Sequence, residues 1–156
     1  SIMALTVGTN SYVTLQEFAD YTAARGYLVK PGDEEVLLIT AMDYMETRRY
    51  RGFRPSDAQV LSWPRRGVSI DGIALSDTAV PQRVKDAQMM VAIAAGDEAG
   101  PFKKREPAVK REKADVVEVE YQDGASTNAM LPAVTALLAP LLVNGGGAHQ
   151  IGVARG

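Results

Sequence analysis

A tryptophan followed directly by proline, Trp63-Pro64, stands near the middle of this 156-residue chain, and it is the only tryptophan present. The residue before a proline avoids the α region, so the backbone at Trp63 is expected to be extended and no helix should run through it. The elements must therefore be arranged on either side. Gln59 to Gly96 carries the other strong signals. Asp71-Gly72, flanked by Ile70 and Ile73, predicts a small β-hairpin near 68–75. Pro81 suits a first helical position. Val84, Ala87, Gln88, Val91, Ala94 and Ala95 then recur at helical spacing, and Gly96 or Gly100 ends that helix. A buried indole contributes so much apolar area that Trp63 reads as a core or loop anchor rather than a base-stacking platform. Trp63, Pro64 and Pro81 are assigned as structural anchors.

Two helices are expected before this stretch. Ala4 to Val13 reads as an extended leading segment. Thr14 and Glu17 match a capping box for a helix to about Arg25, with Leu15, Phe18, Ala19 and Thr22 on its apolar stripe, Tyr21 beside it and Gly26 after it. Asp33 suits the N-cap of a second helix, with Glu34 and Glu35 at its positive end. Val36, Leu37, Ile39, Thr40, Met42 and Met45 predict its buried face. That helix is expected to reach Gly52, placing Arg48, Arg49 and Arg51 on its last turn. The arginines read either as a dipole-matched, solvated helix end or as a patch for phosphate or an acidic partner. Ser56-Asp57 predicts a short turn.

After Gly96 the character changes. Lys103, Lys104, Arg105, Lys110, Arg111 and Lys113 form the most basic stretch, interrupted by Pro101 and Pro107, and read as an arm or connector. Val117, Val119 and Tyr121 alternate with Glu118 and Glu120, which predicts a half-buried strand near 115–121. A final helix opens at Leu131-Pro132 with Val134, Leu137, Leu138, Leu141 and Leu142 apolar, and Pro140 should kink or split it. Asn144 and Gly145-Gly146-Gly147 end all helix, leaving an extended tail to Gly156. Ile151 and Val153 alternate in that tail, so it has the pattern to add as a strand to a partner. The expected architecture is mainly α. It is a bundle of about four helices with a small β element, organised as one domain over 1–143 plus the tail 144–156.

Composition narrows the chemistry. There is no cysteine, which excludes disulfides and thiolate catalysis, and the lone His149 excludes a multi-histidine metal site within one chain. Net charge is −2, so no global basic field argues for nucleic acid. No apolar run is long enough for a bilayer, so no membrane partner is expected. No signal-peptide pattern opens the chain, and Met3 is a candidate start. No phosphate-cradling glycine loop follows a strand. The acidic pairs Glu34-Glu35, Glu118/Glu120 and Asp97-Glu98 have ordinary places at a helix start, a strand face and a helix end. No nucleophile, base and orienter can be assembled, so no catalytic residue, metal or cofactor is expected and the chain reads as a non-enzyme.

Several of these features, in order, resemble tailed-bacteriophage head–tail connector proteins, also called adaptor or head-completion proteins. They are Val7-Gly8-Thr9-Asn10-Ser11-Tyr12-Val13, Leu61-Ser62-Trp63-Pro64-Arg65-Arg66-Gly67-Val68, and Val80-Pro81 heading Val84-Lys85-Asp86-Ala87-Gln88. Val109-Lys110-Arg111-Glu112-Lys113 running into Val117-Glu118-Val119-Glu120-Tyr121, and the last apolar helix, continue the likeness. Members of this group are often labelled DnaT-like single-stranded DNA-binding. The Pro-broken basic arm and the Gly-rich tail depart from the usual pattern.

The resemblance implies a structural virion protein of the phage neck, assembled in the host bacterial cytoplasm. Such subunits form a homo-oligomeric ring, typically of twelve copies. The ring joins the portal protein to the tail-completion or stopper protein, and double-stranded DNA passes through its lumen. On this reading the tail docks on the portal, through Asn144, Gly145, Gly146, His149, Ile151, Val153 and Arg155. Lys103, Lys104, Arg105, Lys110, Arg111 and Lys113 make subunit contacts or line the DNA channel. The rival reading is a single-stranded DNA-binding module using the arginine cluster, the basic arm, and Trp63, Tyr50, Phe53 or Phe102 as stacking residues.

Overall fold

The computed structural model of the chain describes residues 4–97 and 130–143. Within them lie four helices: α1 (Leu15–Arg25), α2 (Glu34–Met45), α3 (Gln82–Ala95) and α4 (Met130–Leu138), the last continued by a 3₁₀ turn, Ala139–Leu141. A two-stranded antiparallel hairpin, β1 (Ser69–Ile70) and β2 (Ile73–Ala74), lies between α2 and α3, with Ile70 opposite Ile73. The mainly helical class, the hairpin and the break at Pro140 agree with the sequence. The strand expected near 115–121, the basic arm and the tail lie outside the described residues.

Helix α3 is the centre. It packs on α2 along one side and on α4 along the other. Val84, Ala87, Gln88, Val91 and Ala94 are buried as their spacing predicts, but so are Met89, Ala92 and Ile93. Flanked on two sides, the helix is apolar all round from Met89 to Ala95, after a polar first half. Pro81 stands one position earlier than expected, at the N-cap, where its carbonyl accepts from the Val84 and Lys85 amides.

Helix α1 begins as its capping box requires. The Glu17 amide donates to Thr14 Oγ1 (3.0 Å) and the Thr14 amide to Glu17 Oε1 (2.8 Å). Gly26 closes it with φ 75°, a left-handed conformation that favours glycine. Its buried face is Phe18, Tyr21 and Thr22, while Leu15 and Ala19, expected on the stripe, are exposed.

Helix α2 departs most from the sequence reading. Its buried residues are Leu38, Ala41, Met42 and Met45, a regular i, i+3, i+4, i+7 set. Val36 and Thr40 face solvent, and Leu37 and Ile39 are half-buried. Asp33 makes no side-chain cap bond. The helix stops at Met45, so Arg48, Arg49 and Arg51 lie beyond it rather than on its last turn. The cause is Tyr50, which turns into the core and donates its hydroxyl to the Met45 carbonyl (2.9 Å). In a continuing helix that carbonyl would take the amide four residues on.

The C-terminal end of the described chain closes the core. The Arg51 amide donates to the Leu141 carbonyl and the Val143 amide to the Arg49 carbonyl, both at 2.8 Å. Val134, Leu138 and Leu141 are fully buried. Proline in an α-helix lacks an amide and crowds the carbonyl four residues back, so at Pro140 the chain tightens into the 3₁₀ turn.

Candidate functional site

The arginine-rich loop after α2 is built on a buried clasp. The Tyr12 hydroxyl donates to Glu46 Oε2 (2.5 Å) and accepts from the Trp63 amide (3.2 Å). The other oxygen of Glu46 accepts from the amide and hydroxyl of Ser62, both at 3.0 Å. One carboxylate at the end of α2 thus holds the N-terminal segment and the Trp-Pro loop together. Trp63 is only 2% exposed and meets Tyr50 edge to face, with ring centroids 5.5 Å apart. The Trp63-Pro64 bond is cis. Pro64 is half-buried.

The arginines of this loop are largely engaged with the chain itself. Arg65 donates to the carbonyls of Arg51 (2.6 Å), Gly52 (2.7 Å) and Ser62 (3.2 Å). Arg51 Nε reaches the Leu142 carbonyl (3.0 Å), and Arg54 holds the Gln59 carbonyl (2.5 Å). Arg66 pairs with Asp77 at 3.1 Å. Arg48 stacks over the Tyr44 ring at 4.6 Å. Arg49 is exposed. Arg48 and Arg49, with Tyr44, Thr47, Thr135 and Leu138, line a cavity of about 280 Å³ where the described chain ends.

Gly52 permits the closest approach in the loop. Its φ is +73°, and a Cβ there would collide with the Arg66 carbonyl oxygen and with Val68. That contact carries the Phe53–Arg66 bridge, which leaves the Phe53 ring 56% exposed at the edge of the loop.

Burial, reinforced by the Glu46 carboxylate, pushes the Tyr12 hydroxyl far above its ordinary value. Burial does the same to Tyr50, with Glu46 again adding. A raised tyrosine pKa favours folding below the unfolded value of about 10, and that contribution fades as pH climbs past it. In an absorbance titration at 295 nm, Tyr12 and Tyr50 should therefore stay protonated until the fold is lost, so the last ionisations coincide with loss of far-ultraviolet helicity. Ionisation of all six tyrosines with the helicity intact would contradict the clasp.

Among the sequence-predicted site residues, Trp63 lies in the core, while Pro64 and Pro81 are half-buried. Lys103, Lys104, Arg105, Lys110, Arg111 and Lys113 lie outside the described residues, as do Asn144, Gly145, Gly146, His149, Ile151, Val153 and Arg155. Sequence reasoning missed Tyr12, Glu46 and Ser11 as network members. Gln88 carried a usable signal, an amide on an otherwise apolar helical stripe. Among the described residues no group of three metal-ligating side chains occurs, and no helix is long and apolar enough to cross a membrane.

These features define a small helical domain whose arginine-rich loop is locked onto its core by a carboxylate clasp. The chain belongs to the family described as "Putative DnaT-like ssDNA binding protein", whose model matches residues 4–156. No curated protein and no solved structure matches the chain significantly.

Proposed function

We propose that this chain is a non-enzymatic assembly subunit, a head–tail connector that forms a ring between a phage portal and the tail or stopper protein. The observation that supports it is the state of the Trp-Pro loop. A sequence-tolerant single-strand binder needs exposed rings for bases and free cations for phosphates. Here Trp63 and Tyr50 are core residues, 2% and 6% exposed, and Arg51, Arg54 and Arg65 are tied to backbone carbonyls. The loop is a rigid, cationic piece of scaffold. Its resemblance to connector sequences lies in these same scaffold residues. Under this reading Asn144 to Gly156 dock on the portal, and Lys103 to Lys113 make subunit contacts or line the DNA channel.

The second reading, single-stranded DNA binding, is favoured by the family's description. Its remaining platform in this loop is Phe53, exposed beside Arg66 and Gly67. Two measurements separate the readings. Mixed with its portal, the full chain should form rings visible by electron microscopy, and truncation after Val143 should abolish incorporation while circular dichroism of the truncated chain is retained. In a gel shift across a salt series, oligonucleotides should bind weakly or not at all. Tight, steeply salt-dependent binding that disappears in Phe53→Ala would overturn the connector reading in favour of the second.

A further inference from the structure

The helical layer has two unlike ends. At one, the α1–α2 connection and the start of α2 meet the end of α3, around a groove lined by Tyr27, Leu28, Val29, Leu37, Ile93 and Gly96. Leu28 is 96% exposed there and Val36 is 47% exposed. Among the described residues the charges at this end are Asp33, Glu34, Glu35 and Asp97 against Arg25 and Lys30, a net negative balance. At the other end, about 18 Å along the 12-residue α2, the loop and hairpin expose Phe53, Val60 and Ile73, the last at 70%. Its charges are Arg48, Arg49, Arg51, Arg54, Arg65 and Arg66 against Glu46, Asp57, Asp71 and Asp77, a net positive balance.

Each end thus carries large exposed apolar side chains among mixed charges, and the net balances of the two ends are opposite in sign. Such a pair of surfaces is not self-complementary. Two acidic ends or two basic ends repel, whereas an acidic end against a basic end buries apolar groups on both sides and matches charge. We propose that the groove around Leu28 receives the hairpin end around Ile73 of a second copy of this chain, in a head-to-tail contact. The inference deepens the assembly reading above and rests on it. A heterologous contact of this kind propagates, and closes into a ring when the rotation permits. The same polarity makes the contact sensitive to salt, because part of the attraction lies between exposed charges.

Sedimentation velocity of the full chain over a concentration series, at low and high salt, reads the contact directly. The wild-type chain should self-associate at low salt and less at high salt. Leu28→Lys and Ile73→Glu should each weaken association at least tenfold in Kd, with unchanged circular dichroism because both side chains already face solvent. Val36→Lys and Val60→Glu are a second pair, should either of the first disturb the fold.

The decisive arm is mixing. Leu28→Lys keeps a sound hairpin end and Ile73→Glu a sound groove, so together they should form dimers that neither forms alone. The proposal is overturned if the wild-type chain stays monomeric at every concentration, if the variants associate as well as the wild type, or if the mixture remains monomeric. A chain that fails here but still joins portal rings removes this contact and leaves the connector reading intact. A chain that associates head to tail but never joins a portal does the reverse.

Discussion

Replacing Trp63 by alanine lowers the unfolding free energy by about 3–5 kcal/mol, the range for removing a fully buried aromatic ring. Domains of this size are stable by about 5–15 kcal/mol in all, so the variant is expected to melt far below the wild type or to be purified partly unfolded. The size of the effect follows from position. The indole is buried in the core, packed edge to face on Tyr50. Its backbone amide is one strand of the clasp to Tyr12. A cavity there cannot collapse easily, because the loop around it is held by Glu46 on one side and by Arg65 on the other.

Trp63→Phe separates the causes. The indole Nε1 is buried with no hydrogen-bond partner, so phenylalanine removes an unsatisfied donor while keeping much of the apolar area. Its cost should be well under half that of alanine. Urea denaturation followed by far-ultraviolet circular dichroism gives both values. An alanine variant within about 1 kcal/mol of the wild type would mean that the ring is not a structural anchor. The stacking role in the rival reading would then regain its footing.

The parts of the fold legible in the sequence are those set by local chemistry. Thr14 with Glu17, Gly26 after the first helix, Asp71-Gly72 in the hairpin and Pro140 in the last helix all act within four residues of themselves, and each element appears where they place it. The misjudged parts depend on contacts far along the chain. Nothing local tells α2 to stop at Met45. The signal is Tyr50 entering a core made partly by Trp63 and Leu142. The buried face of α2 was misassigned for a related reason. Its apolar residues run Val36, Leu37, Leu38, Ile39, Ala41 and Met42, almost without a polar gap, so periodicity cannot choose among faces. Packing against α3 chooses Leu38 and Ala41.

Legibility of the candidate site follows the same division. The arginine cluster was visible as a cluster, but its use was not. Arg65 finds the carbonyls of Arg51 and Gly52 only because the chain reverses between Phe53 and Arg66. Glu46 was hidden in the run following Met45, thirty-four residues from the Tyr12 hydroxyl that it holds. Charge runs in a sequence report where cations are dense. They do not report whether backbone oxygens have already claimed them.

Gln88 is where a second large effect is expected. It is completely buried in the middle of α3. Its Oε1 accepts from the Tyr12 amide (2.9 Å), and its Nε2 donates to the Ser11 hydroxyl (3.0 Å) and to the Leu38 carbonyl (3.1 Å). One amide therefore joins the N-terminal segment, α2 and α3. Ser11 continues the network by donating to the Val13 carbonyl and accepting from the Val13 amide. Leucine at position 88 nearly preserves volume but removes both polar functions. It leaves the Tyr12 amide buried without a partner, and an orphaned buried group costs about 1–3 kcal/mol. With the Ser11 and Leu38 bonds also lost, Gln88→Leu is expected to cost about 3 kcal/mol.

Gln88→Glu probes the same site by charge. A carboxylate can still accept from Tyr12 but, when ionised, cannot donate to Ser11 or Leu38. Its burial disfavours ionisation, so this variant should regain stability as pH falls and the acid becomes a donor again. Thermal melts of both variants between neutral and mildly acidic pH test the assignment. A leucine variant as stable as the wild type, or a glutamate variant whose deficit does not shrink on acidification, would mean that the three segments are held by apolar packing alone. In that case Tyr12 would keep its place through Glu46 rather than through Gln88.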